Sequence, residues 1–146
     1  MKIRNTLAIL SLAVVAGTVT AGDKETVDYR KNTMKVIGGH MGASVAIIKG
    51  EVPHSEDLAY HADALAAAAP RMLAAFETQA MTDDSTALPK VWENWAEFEK
   101  YAKRFETASA DFSKAVAGGN KGAIGAALGE VGKSCKGCHD DFTKED

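Results

Sequence analysis

Cys135-Lys136-Gly137-Cys138-His139 carries the most demanding local spacing in the chain. On an α-helix, positions three and four apart share a face. If this run is helical, Cys135 and Cys138 project from one face, and His139, four beyond Cys135, projects with them. Two thiols and an imidazole so placed match the attachment pattern of a c-type haem. The thiols form thioethers to neighbouring vinyl groups and a ring nitrogen meets the iron. The pattern is short, so its meaning depends on the chain around it.

That chain reads as helix throughout. The segment from about Lys121 to Lys144 turns Ile124, Leu128, Val131, Cys135, Cys138 and Phe142 inward. Before it, Val91, Phe98, Phe105 and Phe112 recur at seven-residue spacing, with Trp95, Ala102 and Val116 on the adjoining ridge. Pro89 suits the first turn of that helix and Gly118-Gly119 its end. A second helix begins at Ser55, an N-cap followed by Glu56 and Asp57, and runs through Leu58, Leu65, Met72, Leu73 and Phe76. Pro70 falls inside it and is expected to kink or split it. Residues from about Thr78 to Leu88 form a polar connection.

The first helix runs from about Lys24 to Lys49 with a seam of Val27, Met34, Met41 and Ile48, flanked by Ile37 and Val45. Gly38, Gly39 and Gly42 weaken it, and their expected use is close approach by another helix or a large ligand. No alternating β-branched run suggests a strand. Four amphipathic helices with fairly short connections give an all-α fold, an antiparallel up-down four-helix bundle.

The first residues point to export. Lys2 and Arg4 precede an apolar run from Leu7 to Val19, and Val19-Thr20-Ala21 ends in small residues. This is the pattern of a signal peptide, residues 1–21, cleaved after Ala21 to leave one domain, 22–146, in the periplasm and off the membrane. Losing Lys2 and Arg4 takes the net charge from −3 to −5. An acidic domain of this kind argues against a nucleic-acid partner and weakly favours a basic one.

Other uses of the cysteines fit less well. A Cys135–Cys138 disulfide would close a very short loop and stabilise little. A thioredoxin-like pair opens a helix after a strand. A zinc site would pack three ligands into five residues. No nucleophile–base pattern or glycine-rich phosphate loop is present, so no enzyme is expected.

A haem-attachment motif on the last helix of an exported bundle resembles the class II c-type cytochromes, the family of cytochrome c′ and the low-spin cytochromes c-556. The similarity spans the mature chain. Tyr29-Arg30-x-x-x-Met34, the interrupted helix at Ala69-Pro70, Pro89-Lys90-Val91-Trp92 and Val131-Gly132-Lys133-Ser134 all resemble family patterns. By this resemblance one haem c is held covalently by Cys135 and Cys138, and His139 is the proximal iron ligand.

The resemblance places Arg30 at a haem propionate, although a solvated surface charge accounts for it equally well. It sets Met34 on the distal side. If Met34 binds iron, the protein is a six-coordinate single-electron carrier. If it only packs there, the haem is five-coordinate and open to NO or CO. Where family members often have a basic residue four after the proximal histidine, this chain has Thr143. Electron transfer is the expected function, with redox proteins or small diatomic gases as partners. A homodimer is expected by family analogy alone. His40, His54 and His61 read as surface histidines.

Overall fold

The computed structural model describes residues 22–144. The proposed leader, residues 1–21, lies outside them. Five helices follow in order: α1 Asp23–Ile48, α2 Leu58–Phe76, α3 Lys90–Glu93, α4 Trp95–Gly118 and α5 Lys121–Phe142. α1, α2, α4 and α5 form an antiparallel four-helix bundle, and α3 is a single turn leading into α4. Among the described residues the only extended pairing is an isolated bridge between Ala87 and Thr143.

The aromatic seam forms the centre. Val91, Phe98, Phe105 and Phe112 are each no more than 3% exposed. Leu65 and Ala62 of α2 and Val131 of α5 are fully buried against them. Close packing joins α1 to α2, α2 to α4 and α4 to α5. The fourth pair of the ring, α1 with α5, lacks comparable contact. Met41 of α1 reaches Gly132 of α5, but elsewhere these helices stand apart.

Helix ends follow from local chemistry. Gly119 ends α4 in the left-handed region at φ 71°, a conformation open to glycine at no steric cost. Asn120 then caps α5, its Oδ1 accepting the Ala123 N–H at 3.0 Å. Gly50, also at φ 71°, follows the end of α1.

Several local expectations change. Ser55 does not cap α2. It opens a 3₁₀ turn, Ser55–Asp57, and the α-helix starts at Leu58. α2 runs unbroken through Pro70, whose exposed position keeps the ring out of the core. The expected third helix is instead divided at Asn94, which leaves helical geometry at φ −122°, ψ 46°. Asparagine tolerates this because its side chain competes for backbone hydrogen bonds and favours helix ends. The last helix stops at Phe142, with Thr143 extended. Around Gly38, Gly39 and Gly42 nothing lies within 4 Å of an added Cβ, so no helix approaches closely there.

The deepest positions of α1 are also shifted from the expected seam. Val27, Arg30, Ile37 and Ser44 are buried, while Met34 and Met41 are only half-buried on the side toward α5. Arg30, 3% exposed, explains part of this. Its Nε donates to the Ala75 carbonyl at 3.4 Å, Nη1 to Ala80 at 3.2 Å and Nη2 to Thr78 at 3.2 Å. The guanidinium lies 4.7 Å from the Phe76 ring centre and 4.9 Å from that of Trp92. Trp92 Nε1 donates to the Phe76 carbonyl at 2.8 Å. Together they satisfy carbonyls in the last turn of α2 and just beyond it, where the helix dipole is negative.

Arg30→Met keeps the apolar stem but strands those carbonyls. It should lower unfolding free energy by about 2–4 kcal/mol, from lost charged hydrogen bonds and cation–π contact. Lys31→Met, which removes only an exposed pair with Asp84, should change it by under about 1 kcal/mol. Urea denaturation of both variants checks the contrast.

Candidate haem-binding site

The motif is helical, as its spacing requires. Cys135, Cys138 and His139 lie within α5, one turn from its end. That turn is tied down on several sides. The Leu88 N–H donates to the Phe142 carbonyl at 2.9 Å, and the Lys144 N–H to Thr86 at 2.8 Å. Thr143 Oγ1 donates to the His139 carbonyl at 2.6 Å. Position 143, four residues after His139, therefore holds a hydroxyl that caps the helix.

Phe142 is buried and meets Phe98 edge-on, with ring centres 5.3 Å apart. Tyr101 of α4 donates its hydroxyl to Asp141 at 2.7 Å, and Lys90 Nζ reaches the other oxygen at 3.2 Å. Both interactions favour the ionised carboxylate, the tyrosine bond foremost, and hold its pKa below the ordinary value. The tyrosine ring lies against the motif itself. A Cβ at Gly137 would fall 3.1 Å from Tyr101 Cε1, so glycine lets α5 sit this near α4.

Beside the motif a small cleft, about 30 Å³ in volume, opens to solvent. α5 contributes Ser134, Cys135, Cys138 and His139 to its lining, and α1 contributes Met34 and Ile37. Met72 of α2 and Tyr101 and Phe105 of α4 complete it. The cleft thus occupies the α1–α5 side, where the bundle is not closely packed.

The two cysteines are free and half-buried. Burial raises the Cys135 pKa. Burial, then the nearby Cys135 and Asp141, pushes Cys138 up to about 11. These are protonated thiols near neutral pH, unlike the low-pKa thiolate of a disulfide-exchange site. A zinc site fares no better. Three donors within 4.8 Å of one another occur at exposed His54, Glu56 and Asp57, and not at Cys135, Cys138 and His139. The His139 ring has no hydrogen-bond partner among the described residues and keeps a nitrogen available for a metal.

Two thiols on one wall of an apolar cleft, with an imidazole and a thioether at its lining, are the donor chemistry that a covalently attached haem uses. The structure gathers Met34, Cys135, Cys138 and His139 there. Arg30 does not line it; its donors face the end of α2 instead. Tyr101 and Asp141 had no recognisable mark in the sequence, and Lys90 stood out only as part of Pro89-Lys90-Val91-Trp92. The one available signal was that Tyr101 shares a helical face with Phe98 and Phe105.

The family model for Cytochrome C′ matches residues 25–143. Cytochrome c′ of Pararhodospirillum photometricum is 37% identical over 123 residues, covering 84% of this chain and 98% of the relative. Cytochrome c-556 of Agrobacterium fabrum is 32% identical over 151 residues, covering 97% of this chain and 96% of the relative. Among solved structures, a nitric oxide complex of a cytochrome c prime variant from Alcaligenes xylosoxidans aligns with TM-score 0.77. It shares 28% identity and covers 86% of this chain and 98% of the other.

The depressed pKa of Asp141 has a consequence for stability against pH. Its contribution is present above the ordinary aspartate pKa of about 3.9 and is lost as pH falls through the lower folded value. Asp141→Asn should therefore be less stable than the native chain at pH 7. The gap should narrow as denaturation curves are recorded at successively lower pH.

Proposed function

We propose that this chain, which belongs to the cytochrome c′ family, transfers single electrons in the periplasm through one covalently bound haem c. The observation that carries this reading is that Met34 from α1 and Cys135, Cys138 and His139 from α5 line one apolar cleft. Bound there, the haem supplies one-electron exchange, at a potential that methionine ligation raises.

The protein's own part is to hold and shield. Cys135 and Cys138 provide the thioether attachments, and the Phe142 and Thr143 contacts keep their helical turn in place. His139 offers a ring nitrogen to iron. Ile37, Met72 and Phe105 exclude water from the interior of the cleft. Met34 offers its thioether from the facing helix. An exposed His139 and half-buried cysteines leave this site near the surface, as brief encounters with a redox partner require. The acidic balance of the chain favours a basic docking face.

One observation supports a second reading. A structural relative is a nitric oxide complex, and the cleft admits a small diatomic ligand if Met34 packs without binding. Optical spectra of the ferric protein separate the two. The carrier predicts a low-spin spectrum with the weak red band of sulfur ligation, lost in Met34→Ala together with a fall in reduction potential. A high-spin native spectrum, unchanged in kind by Met34→Ala, would overturn methionine ligation and favour gas binding.

A further inference from the structure

On the bundle face formed by α1 and α2, away from the haem cleft, His40 and His61 meet. Their Nδ1 atoms are 3.0 Å apart, and their ring centres 5.3 Å apart at a 53° tilt. Both are half-buried. Tyr60 packs edge-on against the two rings, with centres 5.7 Å from His40 and 5.1 Å from His61. Ser44 Oγ donates to the His40 carbonyl at 2.9 Å, within the turn that carries the first ligand.

A contact this short between two imidazole nitrogens needs one N–H and one lone pair. The two Nδ1 atoms therefore meet in one small space between α1 and α2. Metal–imidazole bonds of about 2.0–2.1 Å, at the angles of tetrahedral or square-planar ions, span roughly 2.8–3.4 Å between nitrogens. The observed separation falls inside that range.

We propose that His40 and His61 form a site for a divalent transition cation of the zinc, copper and nickel class, bound through both Nδ1 atoms. Imidazole pairs favour these ions over magnesium and calcium. On binding, the proton between the rings moves to Nε2 of the donor ring, so both Nδ1 lone pairs become available. Water fills the remaining positions, because no third His, Cys, Asp or Glu donor among the described residues lies within 4.8 Å of both nitrogens. Neither histidine lines the haem cleft. Six residues, about 9 Å of helical rise, separate His40 from Met34. The second site can thus fill without disturbing the first.

Calorimetric titration of the haem-loaded protein with zinc chloride tests this. The expected result is one zinc per chain, with affinity falling at least tenfold in His40→Ala and in His61→Ala. The haem spectrum should stay native in both variants, and His61→Gln, which keeps side-chain bulk without the imidazole, should lose affinity as His61→Ala does. His54→Ala should bind zinc as the native protein does. Absence of zinc binding, unchanged affinity in the His40 and His61 variants, or a loss confined to His54→Ala would overturn the site.

Discussion

Two thiols and an imidazole on one helical turn impose a constraint that shapes the rest of the bundle. A planar group held from Cys135, Cys138 and His139, as proposed, would lie against the side of α5 and need room between α5 and α1. The helix ring is accordingly closed at three interfaces and slack at the fourth. Met34 and Ile37 face that slack side from α1. α4 lines it with Phe105 of the seven-residue seam and with Tyr101.

Keeping a bundle firm with one interface open requires compensation elsewhere. The phenylalanine seam buries a continuous column against α2 and α5. The ends of the helices are held by specific polar contacts. Arg30 and Trp92 satisfy carbonyls at the end of α2, while Thr143, Leu88 and Lys144 secure the end of α5. Tyr101 and Lys90 hold Asp141 beside the motif. The turn that carries Cys138 and His139 is therefore fixed from α4 and from the loop before α3, rather than from α1.

The four-helix architecture was legible because apolar residues recur at helical spacing in every segment, most plainly at Phe98, Phe105 and Phe112. The Cys135–His139 run stood out because haem-attachment chemistry demands fixed residues at fixed offsets. Helix interruptions were less so. Pro70 stays inside a helix because tertiary packing outweighs its local cost, while Asn94 breaks one through a backbone choice that composition does not specify. The contacts of Arg30 were not legible for a related reason. Its role is set by carbonyls 45 to 50 residues away, which no local pattern announces. His40 and His61 carry no shared motif, and their pairing follows from the register of α1 on α2.

The central claim is that this α5 turn carries a covalently attached haem. Acid-acetone extraction of the purified protein tests it most directly, since that treatment removes haem held without covalent bonds. The account predicts that the Soret chromophore stays with the polypeptide, and that replacing both Cys135 and Cys138 by serine releases it. Extraction of all haem from the native chain, or retention in the double variant, would contradict it.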